Sequence, residues 1–292
     1  MAAVANVTEL ANSTTIGNEL SALSSPALVK SVVMINLMYA ENLPERTNVK
    51  KFRKNGSLTA TNPQAEATAL AIGSGGELTD SGADATAAKA AIVSGISVEE
   101  QKFGTIDLER VGNEQFGAIA RAVDTDGLSM FSGLSTSVTS TSVLTIDDVM
   151  LGQFNIYNSN CPNQEVPLST VVAPRAGYNL KKELINSGAS VWTNPAMLGL
   201  FNGAPVQPNG YIGSIPGVSD FYQTTGHATS GGDDVQAIFH PMWAFAGMFD
   251  AVPTSWLSNK GSEGFFTELA SYYFYDVVEW NDLCGVKLLS DT

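Results

Sequence analysis

Thr47-Asn48-Val49-Lys50-Lys51-Phe52-Arg53-Lys54-Asn55-Gly56-Ser57-Leu58-Thr59 is the stretch on which the reading of this chain turns. β-Formers lie on either side of Asn55-Gly56, a dipeptide suited to a type I′ hairpin turn because both positions take positive φ. The rest of 44–88, through Gly73-Ser74-Gly75-Gly76 and Asp80-Ser81-Gly82, is loop-like. A charged hairpin in such surroundings buries little of its own surface, so it is expected to project from the body.

Upstream, residues 1–24 are polar and small and read as an extended arm. Ser24-Ser25-Pro26 then opens a predicted helix, with Leu28, Val32, Ile35 and Tyr39 at helical spacing and Pro44 as its stop. Downstream, Ala90 to Phe103 reads as a strand. The spacing predicts a long helix from Asp107 to Asp126, with Leu108, Val111, Gln115, Ile119 and Val123 on one face, Phe116 and Ala120 widening it, and Gly127 as C-terminal stop. Asp124-Thr125-Asp126-Gly127 has the look of a calcium loop but lacks its later ligands, and reads as a frayed helix end.

The Ser/Thr-rich stretch Ser132 to Val143 is a linker candidate. Thr145-Ile146-Asp147-Asp148 is a capping-box signal, and its helix is read with Ile146, Val149, Met150 and Phe154 on one side. A strand from Val166 to Val172, a helix from Pro174 to Ile185, and strands at Tyr211 to Ile215 and Val235 to Phe239 follow. Phe265 to Tyr275 fits helix or strand, and leads through an Asn281-Asp282 turn to Gly285–Leu289. The fold class is α+β.

Composition narrows the function. Hydrophobic residues make up 44% of the 292, which fits a folded chain. Charged residues are only 15%, against about 25% in ordinary globular proteins, which suits a surface covered by copies of itself. A net charge of −14 argues against a general polyanion binder, though an acidic wall would let enclosed DNA slide. Met1 to Glu19 has no Lys or Arg and no continuous apolar run, so neither a secretory signal nor a transit peptide is expected there. Ala27 to Ala40 is too short to span a bilayer, so no membrane partner is expected and the chain is read as soluble and made inside the cell.

Chemistry is hard to find. There is no Gly-Lys dipeptide and hence no P-loop, no dinucleotide fingerprint and no nucleophile elbow. His227 and His240 read as structural or solvated. Cys161 and Cys284 show no metal or redox spacing and read as buried thiols, with nothing to demand a disulfide between them. No catalytic residue, cofactor or metal site is assigned, and no enzyme is expected.

At the hairpin, Thr47-Asn48-Val49-Lys50-Lys51-Phe52 followed by Gly56-Ser57-Leu58-Thr59-Ala60 resembles the extended loop of HK97-fold major capsid proteins of tailed double-stranded-DNA bacteriophages. Gly76-Glu77-Leu78-Thr79-Asp80 resembles the return side of that loop. Leu144 to Thr193, with Val171-Val172-Ala173-Pro174-Arg175 at a strand-to-helix junction, is similar to the first part of the axial domain. Ala237-Ile238-Phe239-His240-Pro241 looks like a later axial strand, and Glu268 to Leu289 like the closing strand of the peripheral domain.

The resemblance implies an N-terminal arm and first helix over 1–43, an extended loop over 44–88, and a peripheral domain with a spine helix over 89–142. An axial domain over 143–247 and a return to the peripheral domain over 248–292 complete it. It implies pentamers and hexamers of one subunit in an icosahedral head around packaged double-stranded DNA, made in the bacterial cytoplasm. The implied partners are the chain itself, a separate scaffolding protein and a portal; the resemblance also allows decoration proteins. Some members crosslink a loop lysine to a neighbour's asparagine; the acceptor and the assisting acid are not matched here, so Lys50, Lys51 and Lys54 are given no covalent role.

Arg46, Lys50, Lys51, Arg53 and Lys54 are then expected to meet acids on a neighbour, with Glu99, Glu100, Asp107 and Glu109 as candidates and Phe52 as an apolar anchor. The plain alternative is solvated charge blunting an exposed β-edge. Among whole-chain alternatives, an encapsulin-like compartment is nearest. An adhesin or surface-layer protein lacks the expected export signal, and a hydrolase would have to rest on the two histidines.

Overall fold

The computed structural model describes residues 33–44, 47–55, 80–97, 108–140, 142–159, 161, 167–186, 210–251, 253–260 and 266–291. In chain order the strands are β1 (Tyr39–Asn42), β2 (Val49–Asn55), β3 (Asp80–Thr86), β4 (Ala88–Ser97), β5 (Ser137–Thr139), β6 (Leu168–Val172) and β7 (Tyr211–Ile215). They continue as β8 (Ser219–Gln223), β9 (Ala228–Ser230), β10 (Asp233–Phe239), β11 (Phe245–Phe249), β12 (Thr254–Lys260), β13 (Phe266–Glu279) and β14 (Gly285–Asp291). Among the described residues the α-helices are α1 (Leu108–Ser129), α2 (Ile146–Asn158) and α3 (Pro174–Asn186).

Two sheets divide the body. The first runs β1-β11-β13-β12, with β4 also pairing β13; the second runs β5-β14-β10-β6-β8-β7, with β9 also pairing β10. β2 and β3 form a separate two-stranded ribbon. The chain end, β14, lies in the second sheet, paired with β10 from Asp233↔Asp291 to Phe239↔Gly285.

The first sheet owes its length to β13, which settles Phe266–Tyr275 as strand, Phe265 lying outside the described residues. From Thr267 to Tyr275 alternate residues are buried, a period of two. Its inner face meets α1. There Gln115, read as part of an apolar stripe, is buried and fully engaged: Nε2 donates to Ser94 Oγ (2.7 Å) and Leu269 O (2.9 Å), and Oε1 accepts from Ser271 Oγ (2.6 Å). A buried amide satisfied on both ends costs little and fixes the helix over the sheet.

α1 does not stop at Gly127. It continues to Ser129, and a Cβ at Gly127 would lie 2.9 Å from Met34 Cβ, so this glycine admits a close neighbour and does not end the helix. Nor is Asp124–Gly127 a frayed end. Asp124 is buried, its Oδ1 accepting the amides of Val33 (2.9 Å) and Met34 (3.0 Å), while Asp126 accepts the Tyr275 hydroxyl.

Those two amides explain another departure. The helix read from Pro26 to Tyr39 is not continued in the described residues: Met34–Asn36 is a 3-10 turn and Tyr39–Asn42 is a strand. Asp124 ties down the amides at 33 and 34, and parallel pairing of β1 with β11, Tyr39↔Ala246 to Asn42↔Phe249, takes the backbone groups that a helix would use. Leu28 and Val32 lie outside the described residues. Ser132–Val143 is likewise not a plain linker, because β5 within it pairs parallel with β14.

On the second sheet, α2 begins with the expected box. Thr145 Oγ1 accepts from Asp148 N and Asp148 Oδ2 accepts from Thr145 N (2.9 Å). Its buried face is Val149, Gly152, Gln153 and Ile156, however, while Met150 and Phe154 point outward. Gly152 decides the rotation: a Cβ there would sit 2.7 Å from Ile238 Cγ2, so only glycine lets the helix lie this close to β10 and β14. Cys161 and Cys284 are not thiols. They form a disulfide, Cα–Cα 5.1 Å, between the segment after α2 and the turn before β14.

Candidate assembly surface

In a ribbon, alternate side chains face opposite ways. On β2, Phe52 turns toward the body with Lys50 and Lys54 beside it, while Lys51 and Arg53 turn outward and are exposed. β2 pairs with β3 from Val49↔Thr86 to Asn55↔Asp80. The ribbon is therefore wider than a two-residue turn at Asn55-Gly56 allows, since such a turn would put Ser57 opposite Lys54, whereas Ser81 stands there. Residues 56–79, including the Gly76–Thr79 stretch, lie outside the described residues.

The root of the ribbon is bound to its own body. Phe52 is 3% exposed, packed with Ala85, Ala246 and Met248 and with the rings of Tyr39 (6.3 Å) and Trp280 (6.3 Å). Trp280 stacks on Trp243 (5.3 Å, 10°), and its Nε1 donates to the Arg53 carbonyl (3.1 Å). Lys50 pairs with Glu41, and Thr86 N donates to Asp276 Oδ2 (2.6 Å). The Phe52 ring, read as an anchor for a neighbour, is thus used inside its own chain, and so is Lys50. A single hydrophobic residue between lysines does not reveal which chain buries it. Trp243, Asp276 and Trp280, which sequence reading missed in this role, lie far away in sequence, while Glu41 and Tyr39 lie just upstream, where the spacing places Tyr39 on a helical stripe.

The other candidates divide simply. Arg46, Glu99, Glu100 and Asp107 lie outside the described residues, and Glu109 is placed in the first turn of α1 by its backbone. Lys51 stands across from Asp84, and Arg53 across from Gly82, where a Cβ would strike the Phe52 carbonyl.

Lys54 belongs to a charged cluster at the foot of the ribbon. Glu279 is pushed above the ordinary carboxylate range, first by burial, then by the Asp282 carboxylate and a hydrogen bond with it, against the opposing pull of Lys54 and Lys287. Asp282 in turn accepts from Ser135 N (2.7 Å) and Ser135 Oγ. The folded chain therefore holds the Glu279 proton more tightly than the unfolded chain, whose value is near 4.5. Stability should fall as pH rises upward from that value, because the folded state binds more protons there. Glu279→Gln should flatten this part of the profile, measured by thermal unfolding of both proteins from about pH 4 to 7. Identical slopes would contradict it.

Nothing in the described residues gathers three metal-ligating side chains. His227 Nε2 lies 2.9 Å from Asp234 Oδ1, and His240 is buried with Nδ1 2.6 Å from the Pro241 carbonyl. With its sulfur bonded to Cys284, Cys161 is no nucleophile for either histidine.

No protein-family model and no curated protein matches the sequence. Solved structures do match. A chain of Mycobacterium phage Che8 is 18% identical, with 88% of this chain and 90% of that one covered at a TM-score of 0.64. The capsid of Ralstonia phage GP4 is 10% identical, with 90% of each covered at 0.63. This is the HK97 capsid fold. The SrpI encapsulin of Synechococcus elongatus shares it, at 9% identity and a TM-score of 0.61 over 87% of this chain and 85% of that one.

Proposed function

We propose that this chain is the major capsid protein of a tailed bacteriophage, forming pentamers and hexamers of an icosahedral head around double-stranded DNA. The observation that carries the reading is likeness to phage capsids over about nine-tenths of the chain, together with a charged ribbon fixed at its root. The working divisions are an arm and first segment over 1–43, the extended loop over 44–88, a peripheral part over 89–142, an axial part over 143–247 and a return over 248–292, with β5 and β14 crossing these bounds to join the second sheet and β11 crossing them to join the first. A shell subunit works through many modest contacts closing around symmetry axes, and no chemistry is required of it. A separate scaffolding protein and a portal are the partners this role entails, decoration proteins are compatible with it, and the virion, after synthesis in the bacterial cytoplasm, is its place.

Tight docking of the ribbon root supports the role physically. A lever reaches a neighbour with defined geometry only if its base is held, and Phe52, Trp280 and Lys50 hold it. Contact with the neighbour then falls to the outward side, Lys51 and Arg53, facing acids such as Glu99, Glu100, Asp107 or Glu109 of the next subunit. The double variant Lys51→Glu/Arg53→Glu should lower the yield of particles seen by negative-stain electron microscopy, most strongly at low salt where screening is weakest. Unchanged yields at every salt concentration would defeat that pairing. Purified particles decide the rest: nuclease-protected DNA with a portal supports the phage head, whereas an enclosed protein cargo moves the chain to the encapsulin reading.

A further inference from the structure

α2 is apolar on two opposite faces. Val149, Gly152 and Ile156 pack on β10 and β14, yet the outer stripe is also apolar: Met150 is 49% exposed, Leu151 50%, Phe154 60% and Tyr157 42%. These positions repeat at three and four residues, so they form one continuous strip along the helix. A second apolar stripe on a helix calls for cover like the first, and in the described chain these four side chains stay exposed, the Tyr157 hydroxyl accepting from Gln153 Nε2 (3.1 Å).

Its companion makes the contrast. α3 lies on the same face of the second sheet. Gly177 packs on Val172, which shares a face with Thr170, and Thr170 is paired with Ile238, the residue beneath Gly152. Around the exposed Tyr178, the outer side of α3 carries Arg175 and Lys182, the ordinary dress of a solvated helix. α2 contains no Lys or Arg between Ile146 and Asn158. The apolar strip is therefore a property of α2 and not of the whole surface.

We infer that the outer face of α2, Met150-Leu151-Phe154-Tyr157, is an intersubunit contact covered by a second copy of this chain. Two observations favour a copy over an unrelated partner, and the inference rests on the capsid reading. Side chains of this size at these exposures offer on the order of 400 Å² of apolar area. That is about half of the roughly 800 Å² per partner needed by a stand-alone complex, so the contact holds only where other contacts hold the same two molecules together, as in a closed assembly. The charge points the same way. Copies of a chain with net charge −14 repel wherever acidic surfaces meet, and along this strip the acids stand only at its N-terminal end, where Asp147 is exposed while Asp148 caps the helix and Glu183 accepts the Ile146 amide.

The test is made on the full chain. Phe154→Glu should lower the assembled fraction in sedimentation at least tenfold, while Phe154→Leu assembles as wild type does. Circular dichroism and the melting temperature of the unassembled subunit should be unchanged in both, since the side chain is outside the core. With p-benzoylphenylalanine in place of Phe154, irradiation of assembled particles should join two copies of the chain, and mass spectrometry should locate the bridge between different molecules. Wild-type shells together with normally assembling Phe154→Glu would overturn the inference alone. So would a crosslink confined within one chain or running to a different protein. A wild-type protein that never assembles would overturn the capsid reading and this contact with it.

Discussion

Cys161→Ser/Cys284→Ser should destabilise the subunit more than any surface change. The disulfide joins residues 123 apart in sequence. Closing so long a loop removes chain entropy from the unfolded state, about 5 kcal/mol in the loop-closure picture, against a usual 2–5 for native bridges. Burial adds a second reason to expect a large effect. Cys284 is wholly buried, its sulfur accepts from Asn281 Nδ2 (3.1 Å), and the Cys284 carbonyl accepts from His240 N (2.8 Å). The bridge therefore fastens the segment after α2 to the turn from which β14 enters the second sheet. Denaturant unfolding of the oxidised subunit, the same protein in excess reductant, and the double serine variant measures the effect. Reductant should bring the wild-type midpoint down to that of the variant. A reductant-insensitive midpoint, or two thiols alkylated in the folded protein without reduction, would show that the bond does not contribute.

Which parts of this molecule could be read from its sequence follows from how local their causes are. The Thr145–Asp148 box was legible because both of its bonds close within four residues. The ribbon strand at Val49–Asn55 and the helix under Gln115 were legible from period and composition. The β2–β3 register was not, because it is set by Asp80–Thr86 and by docking on Trp280, 25 residues and more than 200 residues away. For the same reason the orientation of α2 was misread: Gly152 faces Ile238, and no local pattern announces that meeting. The missed strands β1, β5, β8, β9, β11 and β12 are short or lie among Gly, Pro and Ser, where alternation has few residues in which to show, and β3, read as loop-like from Asp80-Ser81-Gly82, is a strand through its pairing with β2. The disulfide left no trace because its cysteines share no spacing rule, only a meeting in space.

Phe131→Ala should cost about 3–5 kcal/mol, the range for emptying a buried phenylalanine site. Its ring is fully buried in the 3-10 turn that follows α1, 5.6 Å from Phe239 and 5.6 Å from Phe245, which lie 5.1 Å from each other. Phe239 ends β10 in the second sheet and Phe245 opens β11 in the first, so the three rings stand where the two sheets meet. The connection between the two strands is short, and its Met242 has a positive φ of 67°, a conformation kept only where surroundings enforce it. A cavity at this junction should therefore loosen the sheets from each other before either one melts. Hydrogen exchange resolved by peptide would show it: amides of β10 and β11 near the triad should lose protection together, while those of β12 and the distal part of β13 keep theirs. A loss of under about 1 kcal/mol would place the coupling of the two sheets elsewhere, since only a site already loosely packed tolerates so large a truncation.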